Sequence, residues 1–529
     1  KTLKEFYDVD ASLPNSHPGT WDSDTPAWRE RRGHPLWGYP RLDDNLSLPF
    51  GSMDYHSGSY VPWDTLRTLC RRVTSELGTP DWWALASKHG PGAVSDSGWD
   101  SKFEFPTWDK KLESFFPFDW FGRGDLSPDN RPVEREVPSK LVAVPKTQKG
   151  PRLICKEPIC HQWIQQGIWR WLEGRIRNTT IGRSVTFDSQ LASQVRALEA
   201  SRSGSDATID LSSASDRLST RLVEYVFQGS EILDGMHACR TRVMEQSLHS
   251  GFPKLTKLRK FSTMGSALTF PVQSVVFTLL SVWALRLAEG RENDWKNWRA
   301  DFDRVRVFGD DIIVPIHAYR ITTLVLHECG LSVNLRKSFA GISFRESCGM
   351  DAFKGVDVTP ARHRLPYVGS GPSTAALIEY SNNLYKKGMW NGSTTVLGLL
   401  PKGVRKYLPV VGPDDHSIGV FSFMGSCYEG LQTRSSTDLH RVESRRLGFI
   451  SRAIRDRGSD GRAQLASYLT EQYRRGCNGR HSLSSFFGTE VLVPDGRRNF
   501  VYPAHSDGSA RKGNLRMKIA WAYSPYAKA

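Results

Sequence analysis

The chain has 529 residues, more than one hydrophobic core usually fills, so roughly two to four domains or subdomains are expected. A content of 39% hydrophobic and 11% aromatic residues excludes wholesale disorder, while 45 glycines and 29 prolines imply many loops. The formal net charge is +15, and it is concentrated: residues 131 to 183 carry eleven basic against four acidic side chains, and residues 434 to 529 carry eighteen against eight. Two basic regions in an otherwise balanced chain point to a polyanionic partner, nucleic acid before anionic membrane, with a solvated basic face as the plain alternative.

The opening KTLKEFYDVDAS lacks an apolar core and reads against a signal peptide. Residues 1 to 130 hold nine of the 17 tryptophans among Pro, Gly, Asp and Ser, with apolar periodicity only at 63 to 77 and 81 to 88, and read as a loop-rich layer. Residues 137 to 155 predict two extended pieces around a Lys/Gly turn, followed by an amphipathic helix over 158 to 175. Eight cysteines without a CxxC pair suit reduced thiols, and Cys155, Cys160 and His161 lack a second ligand pair at zinc spacing.

Further along, 206 to 211 suits a short buried strand and 216 to 228 a helix. Phe261 to Leu285 carries no charge over 25 residues, long enough to span a membrane, but nine of these are Ser, Thr, Gln or Pro, so a buried helix over 267 to 289 is expected. RVRVF and IIVPI form β-branched runs around a three-residue GDD turn, a hairpin signal. A helix over 318 to 329 and strands at 342 to 347 and 352 to 358 follow. Beyond 366, helices are expected at 373 to 386, 439 to 456 and 462 to 475, with the last 50 residues basic and irregular.

The chemistry concentrates at Phe308-Gly309-Asp310-Asp311. Two adjacent carboxylates in a tight turn repel each other, so the arrangement costs stability unless a cation neutralises it; an all-oxygen cluster favours magnesium or manganese. Alone, GDD could be an ordinary Asp-rich turn. Asp210, in TIDLSSASD, adds a third carboxylate on a strand, the set that two-metal phosphoryl transfer requires. Asp216 could accept a hydrogen bond from a ribose 2′-OH, with a helix N-cap as the alternative role.

TIDLSSASDRLS, FSTMGSALTFPVQS, VFGDDIIVP, NLRKSF and FRESCGMDAFKGVDVTP, in this order and spacing, resemble motifs A to E of the replicases of the single-stranded RNA bacteriophages, the leviviruses: the β subunit of an RNA-directed RNA polymerase. The likeness covers about 140 to 360. It implies that Asp210, Asp310 and Asp311 hold two magnesium ions, with the Leu211 carbonyl as a further ligand. VPKTQKGPRLICKEP resembles motif F, so Lys146, Lys149 and Arg152 would neutralise the incoming triphosphate, with Lys156 a weaker candidate. Ser262, Thr263 and Gly265 would form a pliant loop seating the nascent base pair, glycine giving the backbone freedom. Lys337 would be the general acid for pyrophosphate, its pKa lowered by partial desolvation, against the alternative of a surface lysine. Phe308, Ser266 and Gln273 depart from the family's usual tyrosine, asparagine and glutamate, which leaves open which side chain completes the 2′-OH contact.

The expected architecture is α+β, a right-hand polymerase with an antiparallel palm sheet backed by helices. Fingers would span 1 to 205 and 236 to 266, palm 206 to 235 and 267 to 365, and thumb with a basic C-terminal region 366 to 529. The expected function is RNA synthesis from NTPs on a single-stranded RNA phage genome. By resemblance the partners are template and nascent RNA, host elongation factors Tu and Ts and an RNA-binding ribosomal protein, without a membrane, in the bacterial host cytoplasm. A reverse transcriptase would share the carboxylates but should carry a bulky aromatic near position 215, where Ser215 is small; a non-enzymatic RNA-binding protein would explain the charge but not the carboxylates.

Overall fold

The computed structural model describes residues 1–16, 54–55, 59–60, 62–90, 92–96, 105, 107–122, 136–147, 150–341, 343–363, 365–415, 417–451 and 515–523. The fold is α+β, and the chain divides into two compact units at Thr359/Pro360.

Two four-stranded sheets shape the first unit. One contains β1 (Ser139–Thr147), β2 (Gly150–Lys156), β4 (Val243–Glu245) and β5 (Leu255–Lys257), in the order β2-β1-β4-β5. The second contains β3 (Asp206–Ser212), β6 (Arg306–Phe308), β7 (Asp311–Pro315) and β8 (Ser332–Val333), in the order β8-β3-β7-β6, with every neighbouring pair antiparallel. The hairpin turn is shorter than the sequence suggested. Phe308 pairs directly with Asp311, so only Gly309 and Asp310 turn and Asp311 opens β7. Gly309 has φ +64, which an L side chain adopts only at a cost.

Behind this sheet lies the uncharged segment, a helix over Thr269–Ala288 that is buried from Thr269 to Arg286 except at Phe270. It is long and apolar enough to cross a membrane, yet it packs against the helices Trp63–Leu77 and Tyr319–Glu328 and against β6 and β7. Apolarity on all sides is what a central core helix needs. Its last turn carries a buried cation: Arg286 Nη1 lies 2.5 Å from Asp301 Oδ2, and Nη2 donates to the Arg291 carbonyl at 2.8 Å.

Several predicted elements differ. The helix expected over 216 to 228 is broken into Ala214–Arg217 and Thr220–Val226, because Ser219 bridges to Lys260 and its hydroxyl caps the second helix by accepting from the Leu222 N–H at 3.1 Å. The 81 to 88 patch contains only a short 3-10 turn, Trp82–Ala84. The 352 to 358 strand is two, Met350–Phe353 and Val356–Asp357.

In the second unit, the helix Gly371–Lys386 forms as expected, joined by Trp390–Gly398, with Leu377, Ile378, Leu400 and Leu447 at the core. The predicted helix over 439 to 456 is instead a strand, Arg441–Ser451, and the supposedly irregular tail contains its antiparallel partner, Leu515–Tyr523. That partner lies too far along the chain for local periodicity to reveal the pairing. The helix predicted over 462 to 475 lies outside the described residues.

Arg286→Met tests the energetics of the first unit. Removing one member of a buried pair leaves Asp301 uncompensated, although Arg291 Nη2 also reaches it at 2.7 Å. We expect a loss of about 3 kcal/mol in urea unfolding, at the low end for a buried pair because of that second cation; an unchanged midpoint would contradict it.

Candidate active site

The β3/β7 register places Asp210 directly opposite Asp311, through the run Asp206 to Asp210 against Pro315 to Asp311. Directly opposed residues project to the same face of a sheet with Cβ atoms about 5 Å apart, and like charges there are destabilising. Asp310 follows Gly309 in the adjoining turn, so the three carboxylates share one sheet end.

Neighbouring groups fix the two opposed carboxylates. Asp210 Oδ2 accepts from Asn334 Nδ2 at 2.8 Å, its carbonyl accepts from the Asn334 N–H at 2.8 Å, and its own N–H donates to Ser338 Oγ at 3.1 Å. Asp311 Oδ2 accepts from the Cys348 N–H at 3.1 Å. Burial, then the charges of Asp310 and Asp210, push the Asp311 carboxyl up to about 7 against the Cys348 hydrogen bond. Asp210 is also raised, mainly by burial, with Asn334 and Lys337 opposing and Asp310 and Glu346 adding to the rise.

The donor chemistry of this cluster suits a divalent cation, although among the described residues the three carboxylates do not converge to within 4.8 Å of one another as Asp109, Cys160 and His161 do. The donors are all oxygen, Asn334, Lys337 and the Cys348 amide relieve their mutual repulsion only in part, and the two opposed carboxyls resist ionisation in the metal-free protein, conditions that a hard cation reverses. Asp210, Asp310 and Asp311 would hold it; Leu211 lies on β3 opposite Val333, its side chain buried.

The turn is seated on the central helix. The Gly309 N–H donates to Ser274 Oγ at 3.3 Å, Phe308 packs on Phe270 at 5.1 Å between ring centroids, and a Cβ at Gly309 would come within 2.9 Å of the Phe270 ring and 3.2 Å of Gln273 Nε2. Gln273 Oε1 is buried without a hydrogen-bond partner among the described residues.

Lys337 behaves differently from expectation. Its side chain is about half exposed and its ammonium pairs with Glu346 at 3.2 Å. Partial burial is the largest single influence and lowers its pKa, but Glu346, Asp210 and Asp311 together outweigh it and leave the pKa raised.

The Ser262–Gly265 loop is fastened rather than pliant. The Cys155 N–H on β2 donates to the Met264 carbonyl at 2.8 Å, and a Cβ at Gly265, which has φ +142, would lie 1.8 Å from the Cys155 carbonyl oxygen. Ser262 Oγ shares a hydrogen bond with Thr269 Oγ1 at 2.8 Å, and that hydroxyl also donates to the Thr263 carbonyl at 2.8 Å. Ser262 and Thr263 are both buried. Past the glycine, Gln165 Oε1 accepts from Ser266 Oγ at 3.1 Å and the Ala267 N–H at 3.2 Å.

Asp216 is not an N-cap. The cap position of its helix is Ser213, and Asp216 Oδ1 accepts from Lys260 Nζ at 3.0 Å. Arg152 and Lys156 lie on β2, Arg152 exposed and opposite Val144; the side chain of Lys146, and all of Lys149, lie outside the described residues. Asp109, Cys160 and His161 come close enough to share an ion, but His161 Nδ1 already bonds Thr241 Oγ1 at 2.7 Å and Nε2 bonds Asp109. We read that trio as a structural network. The sequence reading does not single out Asn334, Ser338, Glu346 or the Cys348 amide, although all four lie in NLRKSF or FRESCG.

The comparisons agree with the motifs. A family model described as RNA replicase, beta-chain matches residues 122–396, just over half of the chain. The chain belongs to that family. It is 33% identical over 337 residues to the RNA-directed RNA polymerase beta chain of Enterobacteria phage fr, covering 62% of this chain and 56% of the relative. With the corresponding subunits of Escherichia virus Qbeta and Enterobacteria phage SP the identities are 31% and 30%, covering 66% and 74% of this chain and 54% and 66% of the relatives. The chain thus spans little more than half the length of the first two relatives. Among solved structures, the RNA-dependent RNA polymerase of a human picorbirnavirus shares 14% identity at a TM-score of 0.34, covering 50% of this chain and 59% of that one.

The raised Asp311 pKa carries a signed prediction. Its carboxyl is neutral in the native state up to about pH 7 but ionises near pH 4 when unfolded, so native stability falls as pH rises between those values and is flat above. Asp311→Asn should therefore stabilise the metal-free protein by about 3 to 4 kcal/mol at pH 8 and less at pH 5. Melting in EDTA at both pH values measures this; equal gains would contradict the assignment.

Proposed function

We propose that the chain is the catalytic subunit of an RNA-directed RNA polymerase, joining NTPs on a single-stranded RNA phage genome by nucleotidyl transfer. The observation that carries this reading is the opposition of Asp210 and Asp311 beside Asp310; membership of the replicase family supports it. The second sheet and its helices would be the palm, the first sheet part of the fingers, and the unit beyond Thr359 the thumb.

Magnesium, with manganese as an alternative, would supply the charge that lowers the pKa of the 3′-OH and stabilises the leaving pyrophosphate. The residues' own tasks are distinct. Asp210, Asp310 and Asp311 bind the ions, Asn334 and the Cys348 amide orienting the opposed pair. Lys146, Lys149 and Arg152 neutralise the triphosphate. Asp216 accepts the ribose 2′-OH, and the Ser262–Gly265 loop braces the nascent pair through its fixed backbone. Lys337 retains a proton for the pyrophosphate, its pairing with Glu346 keeping it protonated until substrate arrives.

The two basic regions suit RNA phosphates. Host elongation factors Tu and Ts and an RNA-binding ribosomal protein are the proposed partners, and the bacterial cytoplasm the proposed location.

Incorporation of labelled GTP on a C-ended RNA template, with magnesium and bacterial elongation factors, tests this reading. Asp310→Ala should reduce incorporation at least about a thousandfold without lowering the melting temperature. Wild-type activity retained by that variant would sink the assignment.

A further inference from the structure

The Asp216 carboxylate is held by a residue that neither the motifs nor the carboxylate cluster explains. Lys260 is fully buried, and its ammonium lies 3.0 Å from Asp216 Oδ1. Among the described residues, Asp216 is the one carboxylate in an ion pair with it. Beneath the ammonium lies the Phe6 ring, 3.4 Å from Nζ to the centroid, a face that attracts a cation.

The Lys260 backbone is equally constrained. Its N–H donates to Asp10 Oδ1 at 3.0 Å, its carbonyl accepts from Arg240 Nη2 at 2.6 Å, and it bridges to Ser219, just past the Asp216 helix. Phe6 and Asp10 both belong to the N-terminal helix Thr2–Ser12. Three segments far apart in sequence therefore converge on the orientation of one carboxylate.

A buried ammonium paired with one carboxylate adds little to stability compared with an apolar pair of similar volume, so its retention calls for another role. The charge-assisted bond occupies Asp216 Oδ1 and limits side-chain rotation. Oδ2 has no hydrogen-bond partner among the described residues and remains available as an acceptor. An acceptor oriented in advance discriminates better than a free one, since no rotamer entropy is lost when the ligand hydroxyl arrives.

We infer that Lys260 is a positioning residue for ribose selection: by fixing Asp216 Oδ1, it aims Oδ2 at the nucleotide 2′-OH, with the N-terminal helix as its brace. This rests on the polymerase reading of the site. It adds a residue outside the carboxylate cluster whose loss should change which sugar is accepted.

The test is primed single-nucleotide extension by the full chain with its elongation factors, comparing kcat/KM for ATP, 2′-dATP and 3′-dATP. Lys260→Met should lower the ATP to 2′-dATP ratio at least about tenfold while the ATP to 3′-dATP ratio changes less than about twofold. Asp216→Asn should do the same, and the double variant should be no worse than either single one, as expected for residues acting through one contact. Phe6→Leu, which removes the aromatic face but keeps a buried apolar side chain, should shift the ratio in the same direction by about threefold, and it carries the test if Lys260→Met fails to fold. Equal losses for ATP and 2′-dATP in these variants would show a merely structural role and overturn the inference. Wild-type chain that extends no nucleotide would instead remove the polymerase reading, and this inference with it.

Discussion

Asp210 and Asp311 oppose each other across an antiparallel strand pair, and the surrounding structure is arranged to hold that unfavourable contact in place. Two carboxylates on one face of a sheet repel, and their partial burial limits screening by water. A register slip of one residue would send one of them to the opposite face. The apolar partners Ile209 and Ile312, both buried, resist such a slip. The hydrogen bonds from Asn334 and the Cys348 amide orient the carboxylates without neutralising them, leaving charge for a cation to satisfy.

The central helix serves the same constraint from behind. Its first turns seat the Gly309-Asp310 turn through Phe270, Gln273 and Ser274, and its last turn is fixed by Arg286 on Asp301. On the other side, Gly265 lets the loop before the helix lie against the Cys155 carbonyl, coupling the carboxylate sheet to the sheet that carries Arg152. Core packing, loop geometry and electrostatics thus converge on one end of β3 and β7.

Much of this was legible in sequence because the signals were local. β-branched runs around GDD, an apolar strand through Asp210 and a long uncharged segment each specify their own element. The opposition of Asp210 to Asp311 was not legible, since register depends on pairing across about a hundred residues. Lys260 reads as one more basic residue in KLRKFS, and only the fold reveals that it is buried on Asp216. The pKa of Lys337 departs from the sequence reading for a related reason: partial desolvation lowers it, but Glu346, brought close by the Phe344–Ser347 strand, helps to hold the proton. In the second unit, Leu515, Met517, Ile519, Trp521 and Tyr523 alternate with period two, a strand signal present in the sequence but obscured by the basic residues around it.

Manganese binding followed by electron paramagnetic resonance tests the central claim most directly, because it reads the carboxylate cluster without requiring template, partner or turnover. Wild-type chain should bind the ion, and affinity should rise at least about tenfold between pH 6 and pH 8 as Asp311 gives up its proton. Asp210→Asn and Asp311→Asn should each weaken binding strongly. Binding that is absent in the wild type, or unchanged by both substitutions, would contradict the account.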